Sequence, residues 1–294
     1  MPLLYYWRSD NYRRDLDYGV GYHLNSKNKL LHDLSVGDSL WAFTRNSRKR
    51  FVLAAELVVR SKTKNPPGYR YGPYRVWGDL KESRYFEIEQ QPSMEQVIRY
   101  LSPKADAAIL SQSFQGNAAV RPLTVTDHQV LAAAARALPK EPRARLLPEE
   151  RLEATLLLGD EQAVIDLLHE EHPCIAEKRQ EYLFSKAPTR NRELVEELQQ
   201  LYDGRCQLCR WDPRDIYGYS LCHGHHIHWL SRGGDDDLQN LMLLCPNHHT
   251  AVHRCDAPLD YSDLSFDFGK FRDKLMLDFH LGATYSGTVS RHLG

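Results

Sequence analysis

Two short segments in the last third of the sequence hold a high density of metal-binding side chains. "LCPNHHTAVH" (residues 244–253) places one cysteine and three histidines within nine residues, and "GHHIH" (residues 224–228) precedes it. A hydrophobic core has no use for so many ring nitrogens, because a buried imidazole without a partner lowers stability. Imidazole nitrogen and thiolate sulfur are ligands that zinc and related ions prefer. The spacing therefore predicts metal coordination, and the number of ligands indicates two sites.

The first predicted site is a closed zinc site made by two short ligand pairs. Cys206 and Cys209 form a C-x2-C turn in "CQLC", and Cys245 and His248 form the matching C-x2-H pair in "CPNH". Four such ligands complete the tetrahedral shell of a structural Zn²⁺. Cys222 is a rival fourth ligand, although it lacks a partner at this spacing. The alternative for the whole set is a group of unrelated buried cysteines.

The second predicted site uses the remaining histidines. "GHHIHWL" is typical of a strand, in which neighbouring side chains point to opposite faces, so His225 and His226 are expected to have different roles. One can face a metal ion while the other faces substrate or water. Pro246 suits the first turn of a helix, which would place His249 and His253, four residues apart, on one helical face. The predicted order is strand, loop, strand, helix, with the ion held between them.

The segment "HHIHWLSRGGDDDLQNLMLLCPNHHTAVH" resembles the HNH nuclease family. The match runs from about Arg192 to Asp267 and includes the paired histidines, Gly233-Gly234, Asn240 and "LLCPNHH". The resemblance implies a ββα-metal fold with flanking zinc-binding pairs. His248 stands where many relatives have a fourth cysteine, and the site is expected to survive because imidazole also binds zinc.

This resemblance also implies a role for each residue of the second site. His226 would be the general base, and Asn240 would fix the loop that carries it. His225 and His249 would bind a divalent ion, Mg²⁺ or Mn²⁺ or similar. His253 would be the additional ligand found in the three-histidine subgroup of the family.

Phosphodiester hydrolysis agrees with these roles on chemical grounds. A neutral histidine, with an ordinary pKa of ~6.5, can take a proton from water at neutral pH. A divalent ion that bridges the phosphate and the 3′ oxygen stabilises charge on phosphorus and helps the departing oxygen. The alternative is a non-catalytic, zinc-stabilised nucleic-acid-binding protein that has kept the scaffold.

The net charge and the pattern of residue types differ between the first and second halves of the chain. Residues 1–124 carry 19 Lys and Arg against 12 Asp and Glu, whereas residues 125–294 carry 19 against 27. The basic front half is typical of a protein that reads a polyanion, although solvated surface charge alone also explains it. Strand-like segments such as "SLWAFTR" and "RFVLAAELVVR" fill this half, and helix-forming segments broken by prolines follow to about residue 190. "NRELVEELQQLYDG" then predicts a helix capped by Asn191 and ended by Gly204.

The start of the sequence is similar to the EVE branch of PUA-like domains. "YYWRSDNY" and "YGVGYHLNSKNKLLHDLSVGDSLWAF" carry the similarity over residues 4–62, and the domain could extend to residue 122. Relatives of this fold hold a flipped, modified base in an aromatic cage, where stacking and hydrogen bonds replace those lost on extrusion. The candidate base-binding residues are Trp7, Tyr22, Trp41, Phe43 and Trp77, with Ser9, Asp10 and Asn25 for the polar edges. For each aromatic residue, the alternative is a place in the hydrophobic core. The basic runs "RNSRKR" and "RSKTK" could bind phosphates.

We therefore expect an α+β protein with four parts. They are a PUA-like β-barrel that reads modified bases (1–122), a helical connector (123–190), an HNH nuclease domain with a structural zinc (191–285) and a tail (286–294). The whole resembles modification-dependent restriction endonucleases, which implies cleavage of double-stranded DNA carrying, for example, methylated or hydroxymethylated cytosine. The alternative is a conventional HNH nuclease whose first domain reads unmodified sequence or RNA. Cutting of both strands by a single-site enzyme would favour a homodimer.

Composition argues against a membrane or secreted protein. No run approaches the ~18 apolar residues of a membrane span, and "MPLLYYWRSDNYRRD" does not resemble a signal peptide. The cysteine spacing favours metal binding over disulfides. We therefore expect a cytoplasmic protein with no membrane partner.

Overall fold

The computed structural model describes most of the chain, in two compact units. The described residues are 1–12, 23–79, 82–140, 155, 160–168, 192–228 and 235–281. Of these, residues 1–140 and 161–168 belong to the first unit and residues 192–281 to the second. Both units contain helices and strands, which confirms the predicted α+β class. No helix in the described ranges is both long and apolar enough to cross a membrane.

The first unit is built on one sheet, to which the described residues contribute seven strands. They are β1 (Leu3–Tyr6), β2 (His23–Ser26), β3 (Ser39–Arg45), β4 (Phe51–Lys64), β5 (Tyr74–Gly78), β6 (Arg84–Tyr85) and β7 (Val120–Pro122). Their order is β2-β5-β4-β3-β1-β7, and β6 also pairs with β4. β1 and β3 run parallel, and the other paired strands run antiparallel.

The long strand β4 belongs to two parts of this sheet. Its first half pairs with β3 and its second half pairs with β5. A register shift interrupts each pairing, and such irregularities bend a strand and increase its twist. The sheet therefore curls into a half-barrel. The assignment of this half-barrel to the PUA-like class stays a prediction.

Two apolar cores cover this sheet. Leu3 belongs to the first core and its neighbour Leu4 to the second. The described helices of the unit are α1 (Leu30–Asp33), α2 (Glu95–Tyr100), α3 (Val125–Ala135) and α4 (Glu161–Leu168). Leu31 of α1 enters the first core, whereas Ile98 of α2 and Leu131 of α3 enter the second. Both faces are buried, which explains why β3 and β4 are apolar runs rather than alternating patterns.

The predicted helical connector is described only in part. α3 and α4 fall within residues 123–190, whereas residues 141–154, 156–159 and 169–191 lie outside the described residues. The boundaries of the predicted domains therefore stay predictions.

The second unit centres on a pair of antiparallel strands. Its elements are α5 (Arg192–Leu201), α6 (Arg214–Tyr217), β8 (His223–His226), β9 (Leu241–Leu244), α7 (Pro246–Cys255), β10 (Leu259–Asp260), β11 (Ser265–Asp267) and β12 (Arg272–Lys274). β8 pairs with β9, and the last three strands form a separate small sheet. The predicted order of strand, loop, strand and helix is confirmed.

Helix α5 packs closely against β8. Leu198 is fully buried in the core that contains β9. Gly204 has a positive φ and ends the helix as predicted, whereas Asn191, the predicted cap, lies outside the described residues. A Cβ added at Gly224 of β8 would lie 2.9 Å from Cγ2 of Val195. Position 224 must therefore be small for α5 to reach the strand.

This close approach predicts that Gly224→Ala destabilises the second unit. The added methyl would overlap Val195 and force α5 outward, at a cost of about 1–3 kcal/mol, which scanning calorimetry would detect as a lower melting temperature. Val195→Ala should also lower stability, but it opens the space that the new methyl needs. The double variant should therefore be less destabilised than the sum of the single variants, and strictly additive effects would contradict the packing argument.

Candidate active site

Three histidines from β8 and α7 meet at one point in the second unit. α7 begins at Pro246, so His249 and His253 share one face of the helix, and both rings contact that of His225. One ring nitrogen from each histidine lies within 4.8 Å of the others. Nδ1 of His225 is 3.2 Å from Nε2 of His253. Three imidazoles at this spacing can bind a single metal ion.

Burial makes His225 suitable as a neutral ligand. The residue is 2% exposed, and burial, together with the nearby His253 and His249, holds its pKa well below the ordinary value of imidazole. Its Nε2 is buried and has no hydrogen-bond partner among the described residues. A neutral ring fits a divalent ion, because a ligating imidazole must be deprotonated. His249 and His253 are half-buried, so solvent reaches the cluster.

His226, the next residue on the strand, is not one of the three clustered histidines, as the alternation of side chains along a strand predicts. It is 9% exposed, and its Nε2 is 2.9 Å from Oδ1 of Asp236. The acidic run Asp235–Asp237 is typical of a solvated turn, so this contact was not predicted from the sequence. His226 is therefore held by a carboxylate rather than by the three-histidine cluster.

Asn240 closes the loop between β8 and β9. Its side-chain oxygen accepts a hydrogen bond from the N–H of His228 at 2.7 Å. Its Nδ2 donates to the carbonyl oxygens of His228 and Asp235 at 2.8 and 2.7 Å. Residues 229–234 lie outside the described residues, but Asn240 binds the residues on either side of them. This is the geometry expected of a loop-fixing residue.

Four candidate zinc ligands also come together. One ligand atom from each of Cys206, Cys209, Cys245 and His248 lies within 4.8 Å of the other three. Nδ1 of His248 is 3.2 Å from Sγ of Cys245 and 3.6 Å from Sγ of Cys206. Burial raises the pKa of the Cys206 thiol to about 12, and a bound cation supplies the charge that stabilises such a thiolate. Cys222, the rival ligand, is buried but is not one of these four.

Two further residues support the cysteine cluster. Oδ2 of Asp273 lies 3.5 Å from Nε2 of His248, the ring nitrogen that does not face sulfur, which favours metal binding through Nδ1. Gln207 donates its N–H to the carbonyl of Leu243 at 2.9 Å, and its Oε1 accepts from the N–H of Leu243 at 2.7 Å. The C-x2-C turn is thereby joined to β9. Neither Asp273 nor Gln207 was predicted from the sequence, because neither follows a ligand spacing or a period that marks it.

Three of the predicted base-binding aromatics lie in the cores of the first unit. Trp41 and Phe43 are 0% exposed in the second core, where Nε1 of Trp41 donates to Nδ1 of His128 at 3.0 Å. Trp7 is buried in the first core, with its ring edge-on to Tyr12. A base cannot stack on side chains packed in this way. All three are core residues, which is the alternative to base binding that the sequence left open.

Trp77 and Asn25 lie together on the neighbouring strands β5 and β2. Nε1 of Trp77 donates to Oγ1 of Thr63 at 2.8 Å, and the Arg75 guanidinium lies 5.1 Å from the centre of the Trp77 ring. Oδ1 of Asn25 accepts from Nε of Arg75 at 2.7 Å. Both residues therefore make internal contacts here, and Tyr22 lies outside the described residues.

Ser9 and Asp10 line an open cleft of about 700 Å³ beyond the end of β1. The lining residues are Tyr5, Tyr6, Arg8, Ser9, Asp10, Phe114, Gln115, Gly116 and Ala119. Arg8 holds the Asp10 carboxylate through two hydrogen bonds of 3.2 and 2.8 Å. On the other wall, the Arg121 guanidinium lies 4.9 Å from the centre of the Phe114 ring and donates to backbone carbonyls of the same segment. Of the predicted base-binding residues that the structure describes, Ser9 and Asp10 line this cleft and the others do not.

Part of the second unit is similar to a known protein family. Residues 206–254 match the HNH endonuclease family. Anaredoxin of Nostoc sp. (strain PCC 7120) is 33% identical over 75 residues, which cover 26% of this chain and 91% of that protein. The solved structure of the Type IV phosphorothioation-dependent restriction endonuclease ScoMcrA is 12% identical with a TM-score of 0.20, covering 79% of this chain. This chain spans about half (47%) of that one, and such a TM-score does not establish a common fold.

The family match and the geometry point to the same residues. The match begins at Cys206 and ends one residue after His253. It therefore contains both candidate metal-binding clusters, together with His226 and Asn240. The chain therefore contains an HNH endonuclease domain at residues 206–254.

Proposed function

We propose that this chain is a modification-dependent endonuclease that hydrolyses phosphodiester bonds in double-stranded DNA. The observation that carries the proposal is the use of two neighbouring histidines on β8. His225 joins the three-histidine cluster, whereas His226 is held by Asp236. Hydrolysis needs both a metal ligand and a base that does not bind the metal.

Each residue of the site has a role in this proposal. His225, His249 and His253 would hold a divalent ion, Mg²⁺ or Mn²⁺ or similar, which when bound supplies positive charge to the phosphate and the leaving 3′ oxygen. His226 takes a proton from the attacking water, whose oxygen bonds to phosphorus as the bond to the 3′ oxygen breaks. Asn240 keeps the loop ends in place. Its backbone carbonyl also accepts a hydrogen bond from the N–H of Ile227, the residue after His226, at 2.8 Å.

The second metal ion in the proposal is structural. Cys206, Cys209, Cys245 and His248 would hold Zn²⁺ with four protein ligands, which leaves no position for substrate. Gln207 lies between two of these ligands and bonds to β9. A zinc ion here would therefore stabilise the strand pair that carries the histidines.

The first unit is proposed to be the EVE/PUA-like reader of the modified base. Its excess of basic residues favours binding to a polyanion. A flipped base needs an aromatic face and polar groups at its edge. The cleft beside Ser9 and Asp10 offers both, because Tyr5, Tyr6 and Gln115 also line it. The proposed binding site is therefore this cleft rather than the buried Trp41 and Phe43.

The zinc assignment predicts that Cys206→Ser releases zinc and lowers the melting temperature of the second unit. Small metal domains draw much of their folding free energy from the ion. Metal analysis of the purified protein and scanning calorimetry measure the two effects. Cys255→Ser is the matched control, because Cys255 is exposed and outside the cluster. Full zinc content with an unchanged melting profile in Cys206→Ser would contradict the assignment of these four residues as zinc ligands.

The catalytic assignment predicts different losses for His226→Ala and His249→Ala. His226→Ala should lower the rate of DNA cleavage by at least ~100-fold, as expected for loss of a general base, while its affinity for Mn²⁺ is unchanged. His249→Ala should weaken Mn²⁺ binding itself, because a ligand is removed. Calorimetric titration with Mn²⁺ separates the two. An equal loss of ion affinity in both variants would mean that the roles of His225 and His226 are exchanged.

The reader assignment predicts that preference for modified DNA depends on Asp10. In a His226→Ala background, which prevents cleavage, Asp10→Ala should reduce the preference by about 10-fold, through loss of one hydrogen bond to a charged group. Arg48→Ala should weaken binding to modified and unmodified DNA alike, since phosphate contacts carry no base information. The measurement is fluorescence anisotropy on paired oligonucleotides containing cytosine, 5-methylcytosine or 5-hydroxymethylcytosine at fixed salt. Equal affinity for all of them would favour a conventional nuclease.

A further inference from the structure

One side chain of the acidic run Asp235–Asp237 reaches the active site. We propose that Asp236 is a positioning residue that fixes the ring orientation and the tautomer of His226. The catalytic consequence rests on the proposed function, because it requires His226 to act on water. The contact itself stands on the geometry alone.

The hydrogen bond decides which ring nitrogen of His226 carries the hydrogen. Oδ1 of Asp236 lies 2.9 Å from Nε2 of His226, a normal distance for an N–H donor and an oxygen acceptor. An ionised carboxylate can only accept, so Nε2 must donate, and the lone pair of the neutral ring then lies on Nδ1. His226 is nearly buried, so water competes poorly for this bond. Nδ1 is therefore the nitrogen that takes the proton from water.

Asn240 sets the distance between the two partners. Its Nδ2 donates to the carbonyl oxygen of Asp235 at 2.7 Å, and its N–H donates to Oδ1 of Asp237 at 2.9 Å. The backbone carbonyl of Asn240 accepts a hydrogen bond from the N–H of Ile227 at 2.8 Å. One residue thus fixes the chain on both sides of Asp236 and immediately after His226. The backbone on both sides of Asp236 is therefore held in place, as a side chain that positions a catalytic group requires.

The three aspartates have separate roles, which provides an internal control. Asp235 contributes its backbone carbonyl to Asn240. Asp237 uses its side chain to cap the short turn Leu238–Asn240. Asp236 is the one of the three whose carboxylate contacts His226. Neutralising Asp235 therefore changes the charge of the same loop by the same amount but leaves the contact intact.

The first test compares Asp236→Ala with Asp235→Ala in the full-length protein. With Mn²⁺ and the modified plasmid DNA that the wild-type protein cleaves fastest, Asp236→Ala should lower the single-turnover rate on the order of 10–100-fold, the loss typical of a supporting contact. Asp235→Ala should cleave at nearly the wild-type rate, and both variants should bind DNA and Mn²⁺ equally well. Equal rates for the two variants would overturn the proposal. A loss of Mn²⁺ affinity specific to Asp236→Ala would also overturn it, because Asp236 would then be a metal ligand.

The second test does not depend on cleavage. Long-range ¹⁵N–¹H NMR spectra of the histidine rings, recorded above the ordinary titration range of imidazole, show which nitrogen carries hydrogen. The signals of His226 are assigned by their absence in His226→Ala. Hydrogen on Nε2 in the wild-type protein is expected, and hydrogen on Nδ1 would refute the inference. Should His226→Ala still cleave DNA, the proposed function fails, while this spectrum still decides the contact.

Discussion

A two-stranded ribbon is only marginally stable in water, yet β8 and β9 carry or adjoin both candidate metal-binding clusters of this protein. The ribbon is held at three places. Val195 of α5 packs on Gly224 in the middle of β8, Gln207 bonds to both backbone groups of Leu243 in β9, and Asn240 joins the loop ends. A bend anywhere in the ribbon would move the histidines of β8 relative to those of α7. The geometry of the candidate active site therefore depends on these three contacts.

Helix α7 serves two clusters of different chemistry. Consecutive residues of an α-helix point about 100° apart, so His248 can face the cysteines while His249 faces the histidine of β8. Cys245, at the start of the helix, and His248 belong to the sulfur-rich set, whereas His249 and His253 belong to the nitrogen-only set. Both sets remain partly open to solvent, the first at Cys209 and His248 and the second at His249 and His253. A metal ion in the sulfur-rich set would fix the start of the same helix that carries two candidate ligands of the nitrogen-only set.

The clusters of the second unit could be predicted from the sequence because they follow from fixed periods. The two-residue period of a strand separates His225 from His226, and a spacing of four on a helix brings His249 and His253 together. The contact between His226 and Asp236 could not be predicted in this way. A loop between two strands has no period, and its conformation depends on tertiary hydrogen bonds such as those of Asn240. Three adjacent aspartates in a sequence do not show which of them faces inward.

The first unit shows where pattern reasoning reaches its limit. Aromatic residues in a strand have the same sequence appearance whether they face a core or a ligand, and Trp41 and Phe43 prove to be core residues. A sheet that is buried on both faces leaves side chains open mainly at strand ends and in loops. Ser9 and Asp10, which follow β1, are in such a place. The opposite wall of their cleft is shaped by Arg121 through backbone carbonyls, contacts that leave no mark in a residue pattern. The proposed base-binding site therefore lies beyond the end of β1, a position that neither the aromatic pattern nor the apolar periods indicate.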